Sequence, residues 1–97
     1  MRVETQAKRF FVSGRVQGVG YRYFAMDTAE QIGVTGYTKN LADGRVEVYA
    51  IGTSAQLRDL ARELRRGPAL AAVSDVDEVE AEVLLAFSSG FSLTYER

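Results

Sequence analysis

Lys8-Arg9-Phe10-Phe11-Val12-Ser13-Gly14-Arg15-Val16-Gln17-Gly18-Val19-Gly20-Tyr21-Arg22 contains a change of period from which the rest of the chain can be read. Lys8 to Ser13 is short, aromatic and β-branched and stops at a glycine, which is the pattern of a strand. Its apolar residues are consecutive, so the strand is expected at the centre of a sheet with both faces at least partly covered. From Tyr21 the spacing becomes helical. Tyr21, Phe24, Ala25, Thr28, Ala29 and Ile32 share one face, with Asp27, Glu30 and Gln31 on the other. Gly33 is placed to end that helix with a left-handed cap. Between strand and helix lies a loop carrying Gly14, Gly18 and Gly20 together with Arg15 and Arg22.

Beyond Gly33 the reading continues strand, strand, helix, strand. Val34 to Leu41 is a second strand, interrupted by Gly36, and Ala42-Asp43-Gly44 is a hairpin cue. Arg45 to Ile51 is a third strand, with Val46, Val48 and Ala50 on one face and Glu47, Tyr49 and Ile51 on the other. Thr53-Ser54-Ala55-Gln56 is a capping box that opens a second helix. Leu57, Leu60, Ala61 and Leu64 form its buried stripe, and Arg58, Asp59, Arg62, Glu63 and Arg65 its wet face. Asp59 and Glu63 are spaced to pair with Arg62 and Arg66, and Gly67-Pro68 stops the helix. Residues 69–73 carry no assignment. Asp75 to Val83 alternates, with Glu78, Glu80 and Glu82 read as a charged sheet edge or outer face in preference to a metal site. Ser88 to Gly90 form a turn, and Phe91, Leu93 and Tyr95 alternate with Ser92, Thr94 and Glu96 as a last short strand.

The order β-α-β-β-α-β, with right-handed crossovers around a central hairpin, predicts an α+β, ferredoxin-like sandwich. It has an antiparallel sheet, two helices on one face and an additional short C-terminal strand whose neighbour the sequence does not name. Strands 1 and 3 are expected at the centre, strand 2 beyond strand 3 and strand 4 beyond strand 1. Residues 1–97 are read as one domain, with Met1 to Ala7 as a loose segment.

Composition narrows the chemistry. The 97 residues have a net charge of −1, which argues against general nucleic-acid affinity. There is no cysteine, hence no disulfide and no thiolate nucleophile, and no histidine, which removes the commonest general base and most transition-metal sites. Catalysis would have to run on arginine, lysine, amides, carboxylates, hydroxyls and backbone. No apolar run approaches membrane-spanning length and no signal-peptide pattern opens the chain, so a cytoplasmic protein without a membrane partner is expected.

Within those limits the loop is the strongest chemical signal. A glycine-rich segment can curl so that successive N–H groups point inward, and the start of a helix adds its positive end. Arg22, in the first helical turn, brings a planar fork suited to two phosphate oxygens. The competing reading is a plain strand-to-helix turn with solvated arginines. Gly18-Val19-Gly20 supplies GxG without a third glycine in register, and no GxxxxGK[ST] occurs. Asn40, near the end of the second strand, is either a turn former or an amide able to accept from and donate to a bound water.

Taken together, the two segments resemble the acylphosphatases. Gly-x-Val-Gln-Gly-Val-x-x-Arg matches Gly14 to Arg22. Gly-aromatic-x-x-Asn-x-x-x-Gly-x-Val-x-x-x-x-x-Gly matches Gly36 to Gly52. The resemblance extends over residues 8–96, including the order of elements. It implies that the backbone of Arg15, Val16, Gln17, Gly18, Val19, Gly20 and Tyr21, with Arg22, holds a phosphoryl group. It further implies that Arg22 is the catalytic arginine and that Asn40 orients the attacking water. The substrate would be a small acyl phosphate, with no cofactor and no metal, and the enzyme a monomer. Thr38 departs from the small aliphatic residue usual in the family. The chemistry is compatible with a chain lacking histidine: the leaving carboxylate needs no general acid, and a substrate phosphate oxygen can take the proton of water.

Two rivals remain at this level. The same fold serves RNA recognition through aromatics on the central strands, where Phe10 or Phe11 could serve. Strand 3 lacks the basic-aromatic pattern of that module. The other is an acylphosphatase-like domain of a larger carbamoyl-transfer enzyme, as in the hydrogenase-maturation family; the free enzyme is the expectation.

Overall fold

The structure, a computed structural model, describes residues 4–95. Its elements are β1 (Gln6–Arg15), α1 (Tyr21–Ile32), β2 (Thr35–Asn40), β3 (Val46–Gly52), α2 (Ser54–Arg66), β4 (Ala72–Ala81), a single 3-10 turn (Leu85–Phe87) and β5 (Phe91–Tyr95). The sheet order is β4-β1-β3-β2-β5. This is the expected ferredoxin-like α+β arrangement, with β1 and β3 central. The first four strands pair antiparallel. The last strand, unplaced from sequence, lies parallel to β2, with Gly36 opposite Phe91 and Asn40 opposite Tyr95. The sheet is therefore mixed.

Several boundaries move for identifiable reasons. Gln6 and Ala7, expected in the loose segment Met1 to Ala7, are strand instead, pairing with Gly52 and Ile51; Met1 to Val3 lie outside the described residues. Part of the unassigned stretch 69–73 is strand, since a bulge between Ser13 and Gly14 lets Val73 and Ala72 pair with Gly14 and Arg15. β4 stops at Ala81, before the expected Val83. There the chain leaves the ladder: the Tyr49 hydroxyl donates to the Glu82 carbonyl at 2.6 Å and accepts from the Leu84 N–H at 2.8 Å. Glu96 of the expected last strand lies outside the described residues.

The helical layer is built as its periodicity dictates. Tyr21, Ala25 and Ala29 of α1 and Leu57, Leu60, Ala61 and Leu64 of α2 are buried. They pack on Phe10, Val12, Val46, Val48 and Ala50 of the central strands. Both halves of the capping box form, and the Gln56 amide also donates to the Ile32 carbonyl at 3.2 Å, joining the two helices. Asp59 pairs with Arg62, and Glu63 with Arg66.

The opposite face of the sheet is also covered, so every residue of β3 is buried. Tyr37 stacks on Tyr49 with ring centres 5.3 Å apart, and Phe87 of the 3-10 turn closes over both at 4.9 and 5.7 Å. The Tyr37 hydroxyl donates to Glu47, which also faces Arg9 at 3.6 Å. β4 is an edge strand, as its charge suggested. Glu78, however, is paired with Lys8 and Arg65.

Candidate phosphate-binding cleft

The loop between β1 and α1 is shaped by two glycines. Gly18 and Gly20 have φ of 74° and 81°, in the left-handed region that side chains other than glycine's seldom enter. Gly20 is the residue before α1, and no side chain caps the helix. The N–H groups from Val16 to Tyr23 donate to no protein acceptor among the described residues; the first helical bond is from the Phe24 N–H to the Gly20 carbonyl. A row of unpaired donors at a helix start attracts an anion through partial charges on the N–H groups.

Two side chains hold the loop in place. The Gln17 amide donates to the Leu41 carbonyl at 2.8 Å and to the Arg45 carbonyl at 2.9 Å, clipping the loop to the β2–β3 turn. That turn begins directly after Asn40, so the clip also sets the distance between loop and asparagine. Buried Tyr21 points away from the loop and donates to the Leu64 carbonyl at 2.7 Å. Burial raises its phenol well above the usual range, so it stays a neutral hydrogen-bond donor.

Val16, Gly18, Gly20, Tyr21, Arg22, Tyr23 and Asn40 line one cleft of about 180 Å³. Arg22 and Asn40 therefore share a space despite lying on different elements. The alternation of β2 turns Asn40 to the same sheet face as Thr38, toward the helices, where α1 begins. Arg22 is half-exposed; its guanidinium donates to the Thr94 carbonyl at 3.3 Å and lies 5.0 Å from the centre of the Tyr95 ring. This leaves other donors of its fork for a ligand.

Not every residue expected from sequence reaches the cleft. Arg15 ends β1 opposite Ala72, Gln17 spends its side chain on the turn, and Val19 packs against the core. Gln17 and Val19 thus have their side chains committed elsewhere, leaving the main chain. Conversely, Thr94 and Tyr95 hold Arg22 and went unnoticed. Their role depends on which strand β5 joins, and a five-residue alternating segment does not name its neighbour. Among the described residues no three acidic side chains gather as a metal site, Glu78, Glu80 and Glu82 included.

Fold and cleft together define a small α+β sandwich with an anion-attracting loop at the start of its first helix. The acylphosphatase family model matches residues 8–93. An acylphosphatase of Solibacter usitatus is 53% identical over 81% of this chain and 82% of its own. One of Pasteurella multocida is 49% identical over 91% and 97%. The crystal structure of acylphosphatase from Bacillus subtilis superposes with a TM-score of 0.87 at 35% identity, covering 95% of this chain and all of the other. The chain belongs to the acylphosphatase family.

Proposed function

We propose that Arg22, the Arg15–Tyr21 loop and Asn40 carry out the acyl-phosphate hydrolysis that family membership assigns to this chain. The reading rests on one observation above others: a row of unpaired N–H groups, a guanidinium with free donors and a carboxamide meet at a single cleft. In R–CO–O–PO₃²⁻ the bond that breaks is O–P. The loop amides and Arg22 hold the equatorial phosphoryl oxygens and balance the charge that grows on them. Asn40 holds a water in line behind phosphorus. Its oxygen bonds to phosphorus as the carboxylate departs, and its proton passes to a phosphoryl oxygen. An amide is too weak a base to take that proton itself.

The same reading has the enzyme monomeric, cytoplasmic and independent of metal and nucleic acid. The small net charge supports the last point, as does Phe87, which covers Tyr37 and Tyr49 on the outer sheet face. Sedimentation at the protomer mass checks the first. Among the described residues no helix is long and apolar enough to cross a membrane.

Phosphate release from benzoyl phosphate tests the mechanism. Asn40→Ala is expected to lose turnover by roughly a hundredfold, a barrier change of about 3 kcal/mol, while inorganic phosphate still inhibits as in the wild type. A variant that turns over at the wild-type rate removes the water-aligning role. EDTA is expected to leave the rate unchanged; loss of activity restored by a divalent ion overturns the arginine-and-amide account.

A further inference from the structure

Two buried side-chain oxygens have no hydrogen-bond partner among the described residues: Thr38 Oγ1 and Asn40 Oδ1. They occupy successive positions on one face of β2, the face turned to the helices. Thr38 is wholly buried. Its ladder neighbours are Val48 on β3 and Leu93 on β5, and those of Asn40 are Val46 and Tyr95. A valine would fill the same shape without burying a hydroxyl, so packing alone gives no reason for threonine here. Strand geometry sets the two Cβ atoms roughly 7 Å apart, a separation that one water can bridge between the side chains.

We propose that Thr38 is a positioning residue for the hydrolysis, holding the Asn40 carboxamide through one buried water shared between Thr38 Oγ1 and Asn40 Oδ1. A carboxamide has two unlike ends, and an end that meets only apolar groups lets it turn. With Oδ1 tied inward, the NH₂ group faces the cleft. There it donates to the attacking water, leaving a lone pair for phosphorus and the water hydrogens for the phosphoryl oxygens. Thr38 thus bears on the aim of the water and has no part in holding phosphate. The inference rests on the proposed role of Asn40 and extends it to a residue outside the cleft lining.

The test is steady-state hydrolysis of benzoyl phosphate by Thr38→Val, Thr38→Ser, Asn40→Ala and the Thr38→Val/Asn40→Ala double variant, with inorganic phosphate as competitive inhibitor. Thr38→Val is expected to lower kcat about tenfold with KM and phosphate inhibition unchanged. Thr38→Ser, which keeps the hydroxyl, is expected to stay within about twofold of wild type, and Thr38→Val to cost nothing further once Asn40 is alanine. Should Thr38→Val not fold, Thr38→Ala makes the same deletion of the hydroxyl. Wild-type kcat in the hydroxyl-free variant, equal loss in Thr38→Ser, or a fall in phosphate affinity alongside kcat overturns the proposal. The two levels separate cleanly. An inactive Asn40→Ala beside a fully active Thr38→Val sinks only the threonine's role, whereas a fully active Asn40→Ala sinks both.

Discussion

Arg22 occupies a poised position: it is tied by one donor to the Thr94 carbonyl and stacked against Tyr95, with the rest of its fork unassigned. Losing it removes the only side-chain cation lining the cleft among the described residues, so Arg22→Ala is expected to abolish both turnover and inhibition by inorganic phosphate. This contrasts with Asn40→Ala, which is expected to keep the inhibition. Inhibition constants for the two variants measured side by side check the division of labour. A second residue-scale expectation concerns Glu78. Burial acts to raise its pKa, but its bonds to Arg65 and Lys8 outweigh that and hold the carboxyl below its ordinary value. A depressed carboxylate stabilises the fold above the unfolded-state value of about 4.3, and that contribution is lost as pH falls through the lower folded value. Glu78→Gln is thus expected to cost at most about 1 kcal/mol at pH 7. The difference from wild type should shrink below the ordinary carboxylate range, as urea melts across pH would show.

At the scale of elements, the site is two segments fastened together by a glutamine. Gln17→Ala deletes two hydrogen bonds between the loop and the β2–β3 turn and is expected to destabilise the protein by about 1–2 kcal/mol. It should also raise KM and lower kcat together, because donors and carboxamide lose their common frame; kinetics beside a thermal melt would reveal it. Much of this scale was legible beforehand. The stripes of α1 and α2, the capping box and the order of the inner four strands follow from local periodicity and crossover handedness, which need no knowledge of distant contacts. What escaped depends on partners remote in sequence. Ala72 and Val73 are strand only because a bulge beyond Ser13 brings Gly14 and Arg15 into register. Gln17 gave no sign of clipping the turn, since its acceptors are backbone carbonyls that any residue could supply. Motif spacing singled out Arg22 and Asn40, and both line one cleft. The carbonyl and ring that steady Arg22 were not, because β5 had no address.

For the molecule as a whole, the sheet works as a two-sided plate. The helical side carries the proposed site; on the other, Phe87 is laid over Tyr37 and Tyr49 by a segment that the Tyr49 hydroxyl fastens at Glu82 and Leu84. Phe87→Ala is expected to cost about 1–3 kcal/mol, less than for a fully buried ring, and to leave kcat at 25 °C near wild type, since Phe87 lies outside the cleft lining. Denaturant titration and a rate assay on one preparation separate the two effects.

The pairing of Arg22 with Thr94 joins residues 72 positions apart. Bringing such distant points together carries a loop-closure cost that helices and hairpins avoid. A newly made or refolding chain can therefore acquire both helices and the β2–β3 hairpin while its guanidinium still lacks the β5 carbonyl that steadies it. If Arg22 acts as proposed, catalytic competence is expected to arrive later than these local elements, and a partly folded molecule with a loosely held arginine would be a poor hydrolase.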